Sequence, residues 1–96
     1  MGNFNIDIEI LRDAINKFGA ESQVKMAIGE IGELLTMFGR EEQGRANSDE
    51  WVSEIADVLI MVTQLGMMYG QEKVQKTIDF KLERLRVKLN KPNDQD

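Results

Sequence analysis

Apolar side chains in this chain return every three or four residues in four separate segments, and glycines stand between the segments. That spacing fits one face of an α-helix, and no run alternates with the period of two that a half-buried strand needs. The fold class that follows is all-α, a subunit of four helices. Ile8, Leu11, Ile15 and Phe18 form the first stripe, with Asn5 or Asp7 as its cap and Gly19 as its stop. The second helix is expected from about Glu21 to Phe38, with Ala27, Ile28, Ile31, Leu34, Leu35 and Phe38 as its apolar face and Gly39 as its end. Residues 40–46, with four charged side chains and Gly44, read as a polar loop. Asn47 or Ser48 caps the third helix, Asn47 and Glu50 being spaced as a capping box, and Gly70 closes it. The fourth helix, roughly Gln71 to Leu89, carries Val74, Ile78, Leu82, Leu85 and Leu89.

A chain of 96 residues with a single proline has room for one domain, residues 1–90; residues 91–96 lack an apolar period and are expected to be a disordered tail. A monomer of this size buries only about 60–70% of its unfolded surface, so completion of the core in a homodimer or homotetramer is expected. Cysteine and histidine are both absent. That excludes disulfides, thiolate chemistry, Ser-His triads, histidine bases and the usual zinc sites. Chemistry is left to carboxylates, lysine, arginine and hydroxyls. The net charge of −5 speaks against nonspecific nucleic-acid binding, which depends on cations neutralising phosphates. No stretch reaches the roughly 18 apolar residues that span a bilayer, and no signal-peptide pattern follows Met1, so a cytoplasmic protein without a membrane partner is expected.

Within the two most apolar segments, EIGELL (30–35) and EIADVL (54–59) repeat almost the same letters. At about 100° per residue, Glu30 and Glu33 lie some 60° apart on one side of the second helix, at the border of its apolar face. Glu50, Glu54, Asp57 and Met61 form one row on the third helix, again beside Ile55, Val58, Val62 and Leu65. Met26 and Met37 flank the first acid pair and, with Met61, read either as core filling or as the wall of a pocket. Gly29 and Gly32 leave a side of the second helix without bulk, open to a neighbouring helix or a ligand. An isolated acid pair is usually a solvated face; two pairs in phase on adjacent helices converge, and like charges in a half-buried place call for a cation. Oxygen ligands suit Mg²⁺, with Mn²⁺ as an alternative, whereas a di-iron bundle would draw on histidines that this chain lacks.

The E-I-G-E motif at 30–33, twenty intervening residues, and E-I-A-D-V-L at 54–59, followed by a basic helix, resemble the metal motif of the MazG-like all-α nucleotide pyrophosphohydrolases, a superfamily that includes the dimeric dUTPases. The resemblance spans helices two to four. It implies a homo-oligomer of four-helix subunits that hydrolyses nucleoside triphosphates between the α and β phosphates with Mg²⁺. Carried to matching positions, it makes Glu30, Glu33, Glu54 and Asp57 the metal ligands. Many relatives have a further acid where this chain has Gly29, so the number of ions stays open.

On the fourth helix Thr77, Lys81, Arg84 and Lys88 share one row, and Lys81 and Arg84 are the candidates for binding phosphate. Arg40 and Arg45 belong to the expected polar loop, either solvated or closing over phosphates. Trp51, Phe18 or Tyr69 offers a ring for a base, although a lone Trp one turn into a helix is more often core. Glu33 is the candidate to orient or deprotonate the attacking water. Two alternatives remain open: a noncatalytic helical interaction module with a structural cation, and a hydrolase acting on another pyrophosphate bond, such as that of phosphoribosyl-ATP.

Overall fold

The computed structural model describes residues 4–45 and 47–92. Four helices account for them, α1 (Ile8–Phe18), α2 (Ala20–Glu42), α3 (Ser48–Tyr69) and α4 (Gln71–Lys88), with no strand among the described residues. Asp7 caps α1 by accepting the Glu9 amide at 3.0 Å. Asn47 caps α3: its Oδ1 accepts the Glu50 amide at 2.9 Å, while its Nδ2 donates to Glu50 Oε1 at 2.9 Å. The expected capping box is therefore present, closed by a side-chain pair instead of a bond to the cap's own amide.

One boundary differs from the sequence expectation. α2 runs through Gly39 to Glu42, so Arg40 is helical and the loop begins at Gln43. Glycine ends a helix only where the backbone turns left-handed, and that happens at Gly44 (φ 69°). There the Gly44 amide donates to the Glu41 carbonyl (3.0 Å) and the Arg45 amide to the Arg40 carbonyl (2.8 Å), the paired bonds of a Schellman turn. Gly70, with φ of 123°, makes the tight corner from α3 into α4. Of the expected tail, Lys91 and Pro92 follow the last helix, and residues 93–96 lie outside the described residues.

α2 and α3 form the most extensive helix pair, α1 packs on both, and α4 packs on α3 alone. The resulting body is a slab of 43 × 40 × 18 Å with a radius of gyration of 16.4 Å, against about 13 Å for a compact domain of 100 residues. Its small core includes Leu11, Ala27, Met37 and Met61, with the polar Gln23 and Gln64 equally buried. The expected apolar face of α2 divides. Ala27 is buried, but Ile28, Leu35 and Phe38 are 66%, 65% and 58% exposed, and α4 buries nothing. The cause is the direction α2 turns to its partners: the row Gln23, Ala27, Glu30 and Met37 faces inward, which sends Ile28 and Leu35 outward.

α3 also corrects the absence of any candidate span: by length and composition its 22 residues are long and apolar enough to cross a membrane. Glu54, Asp57, Thr63 and Gln64 interrupt the apolar letters, but the aliphatic residues around them keep the mean hydropathy high, which is why counting an unbroken apolar run missed it. Length and composition do not by themselves make a span, since α3 is the helix against which the other three pack, and it carries Glu54 and Asp57.

Removing the Asn47 side chain tests the hairpin's closure. Asn47→Ala is expected to cost about 1 kcal/mol and lower the melting midpoint by about 4–8 °C, whereas Asn47→Ser stays near the native value; thermal unfolding by circular dichroism reads both.

Candidate metal centre

The α2–α3 hairpin is closed by the Gly44 turn and the Asn47 cap, and it lays the two helices antiparallel along their length. That register opposes the first half of α2 to the middle of α3, and carboxylates from both helices meet in the seam. One oxygen from each of Glu30, Glu54 and Asp57 lies within 4.8 Å of the others, and all three residues are half-buried. Ligands of one Mg²⁺ stand about 3 Å apart when adjacent and about 4.2 Å when opposed, so the trio would draw closer to share an ion.

The electrostatics say that the trio is not a comfortable place for three negative charges. Glu54 Oε2 is shut off from solvent and accepts no hydrogen bond. The Glu30 carboxyl is held above its ordinary value by burial first, then by the charge of Asp57 and a hydrogen bond shared with it, and then by Glu54 and Glu33. A carboxylate oxygen enclosed without a donor, beside a neighbour driven to keep its proton, makes an oxygen donor set that could hold a metal ion.

Of the four expected ligands, three come together and Glu33 stands apart. It is exposed on the flank of α2, near enough for its charge to act on Glu30 but outside the trio. Lys81 and Arg84 make no ion pair with the acids among the described residues, and α4 packs on α3 and not on α2. Lys81 borders a shallow apolar recess with Val74 and Ile78, and the Arg84 guanidinium sits 5.9 Å from the Phe80 ring centre. Around Gly29 and Gly32 an added Cβ would meet nothing within 4 Å, so no helix among the described residues touches that side. Met37 and Met61 are core, while Met26 is exposed. Trp51 fastens the hairpin: its ring meets Phe38 edge-on at 5.0 Å and its Nε1 donates to Glu41 Oε2 at 3.0 Å. Phe18 and Tyr69 are exposed.

Three features escaped the sequence reading. Gln64, buried in the seam, donates to the Leu11 carbonyl at 3.3 Å and thereby ties α1 to α3, while its Oε1 has no partner. Gln23 is buried opposite, its Nε2 on Met26 Sδ at 3.6 Å. A signal existed: Gln23 stands seven residues before Glu30 and Gln64 seven after Asp57, on the acids' own faces. The third is an ion pair, Arg40 Nη2 to Glu50 Oε2 at 2.8 Å, across the seam beyond Glu54. No family model, curated protein or solved structure matches the chain, so its resemblance to known enzymes rests on the motif residues alone.

Glu30 gives the pH dependence its sign. In the folded chain it keeps its proton to higher pH than the ordinary value of 4.5 that it has when unfolded. Above 4.5 the folded state therefore binds more protons, and its stability falls as pH rises through the raised value. In metal-free buffer, native protein is expected to lose more stability than Glu30→Gln between pH 4.5 and about pH 8. Saturating Mg²⁺ should abolish the difference in slope; urea midpoints across that range measure it.

Proposed function

We propose that the chain is a Mg²⁺-dependent nucleoside triphosphate pyrophosphohydrolase of the MazG-like kind, splitting its substrate into nucleoside monophosphate and pyrophosphate in the nucleotide pool of the cytoplasm. The observation that carries the reading is the Glu30–Glu54–Asp57 trio with the buried, unpartnered Glu54 Oε2. The donor set is all oxygen, as Mg²⁺ or Mn²⁺ prefers, and its three ligands leave coordination positions for water and phosphate. When bound, the metal would neutralise phosphate oxygens and polarise the α-phosphorus. Glu33, exposed at the rim and outside the trio, suits the base. Its carboxylate accepts a proton from water as the water oxygen bonds to the α-phosphorus, and the α–β bridging oxygen leaves with pyrophosphate. Lys81 and Arg84 are proposed to bind phosphate, which requires α4 to reach the acids by pivoting at Gly70 or from a second copy.

A homodimer or homotetramer belongs to the same proposal. Ile28 and Leu35 of α2, Val52 of α3, and Leu82 and Leu85 of α4 expose apolar surface that a second copy would cover. Light scattering is expected to give twice or four times the 11.0 kDa chain mass.

The functional test is pyrophosphate release from a panel of ribo- and deoxynucleoside triphosphates. Release is expected only with Mg²⁺ or Mn²⁺, and Asp57→Asn should abolish it. Glu33→Gln should lower kcat by about 10²-fold or more while keeping the metal-dependent gain in melting temperature. Full turnover in Glu33→Gln removes Glu33 from the scheme. A metal-dependent stability gain with no turnover of any nucleotide would instead leave a noncatalytic helical module.

A further inference from the structure

The trio would neutralise a metal, but a polyphosphate also needs cations on the protein side, and within this subunit α4 does not pack on α2 to bring Lys81 and Arg84 there. We infer that Arg40 grips a phosphoryl group of the metal-bound polyphosphate, and that Glu50 holds its guanidinium in reserve until that anion arrives. The inference rests on the metal reading above and adds to it the residue that recognises the polyphosphate.

Arg40 stands seven residues after Glu33 on α2, within about 20° of the same side and about 10 Å along the helix. Helical side chains lean toward their own N-terminus, and this one does: Nη1 lies 3.9 Å from Met37 Sδ, one turn back toward the acids. Nη2 is drawn across the seam to Glu50 Oε2, one turn before Glu54 on α3. The arrangement is poorly explained as a stabilising device. The two side chains remain 37% and 33% exposed, where ion pairs contribute little, and Arg40 Nε is buried with no acceptor. A guanidinium with an unused donor, held on Glu50 one helical turn from Glu54 of the trio, suits a second oxyanion, and its planar fork fits phosphate with two parallel bonds. When Arg40 turns away, Glu50 Oε1 keeps the Asn47 amide as its donor, while the enclosed Oε2 gives up its cation and must gain water or a proton.

The test titrates the full chain with inorganic pyrophosphate in saturating Mg²⁺, using calorimetry and thermal shift, in native protein, Arg40→Gln and Glu50→Gln. Arg40→Gln is expected to keep the melting shift given by Mg²⁺ alone and to weaken pyrophosphate binding by about tenfold or more. Glu50→Gln is expected to tighten it a few-fold, since the competing carboxylate is gone. Arg40→Gln binding pyrophosphate as well as native protein overturns the inference while leaving the metal reading in place. Unchanged or weaker binding in Glu50→Gln overturns the reserve role, and that variant decides the matter alone if Arg40→Gln fails to fold. Absence of any Mg²⁺ response in native protein removes the metal reading, and this inference falls with it.

Discussion

Three carboxylates pressed into one helix seam set the terms for everything else in this molecule. Burial first, and then the like charges beside it, drive Glu30 toward keeping its proton, and Glu54 Oε2 is enclosed with no donor among the described residues. Neither is a state that a helical hairpin adopts for its own stability, because an unpaired buried carboxylate oxygen costs on the order of 1–3 kcal/mol. The hairpin nevertheless fixes it firmly. The Schellman turn at Gly44 and the Asn47 box set the register, Trp51 locks the hairpin against Phe38 and Glu41, and that register opposes Glu30 to Glu54 and Asp57. The divalent cation proposed above would resolve the conflict by turning mutual repulsion into shared attraction.

The seam also explains why the outside of the subunit is so apolar. A helix has a limited circumference, and α2 spends its inward row on Gln23, Ala27, Glu30 and Met37. Its bulky aliphatic residues, Ile28 and Leu35, are left facing out. The pair is in part inverted, with polar and ionisable groups between the helices and hydrophobic ones on the surface. Such a subunit carries like charges inside and apolar surface outside, and the metal ion and second copy proposed above would answer both.

Much of this was legible in the letters. The four helices, the stops at Gly19 and Gly70, the caps at Asp7 and Asn47, and the meeting of Glu30 with Glu54 and Asp57 all follow from periodicity and spacing. What was not legible has physical causes. Gly39 looks like a terminator, but glycine only permits a left-handed turn, and Gly44 took it, carrying Arg40 into α2 and toward Glu50. Ile28 and Phe38 look like core, but the outward side of α2 is settled by which face α3 takes. Gln23 and Gln64 read as surface residues because glutamine usually is one; only their heptad spacing from the acids hinted otherwise. The distance of Lys81 and Arg84 from the acids depends on the direction in which α4 leaves Gly70, which no periodicity encodes.

The most direct measurement is Mn²⁺ binding followed by electron paramagnetic resonance, in native protein and in Glu54→Gln. If the seam is a metal centre, native protein takes up Mn²⁺ at a single saturable class of site that Mg²⁺ displaces, and Glu54→Gln weakens it at least about tenfold. Equal Mn²⁺ uptake by the two proteins, or none by the native one, would contradict the assignment of these carboxylates to a metal.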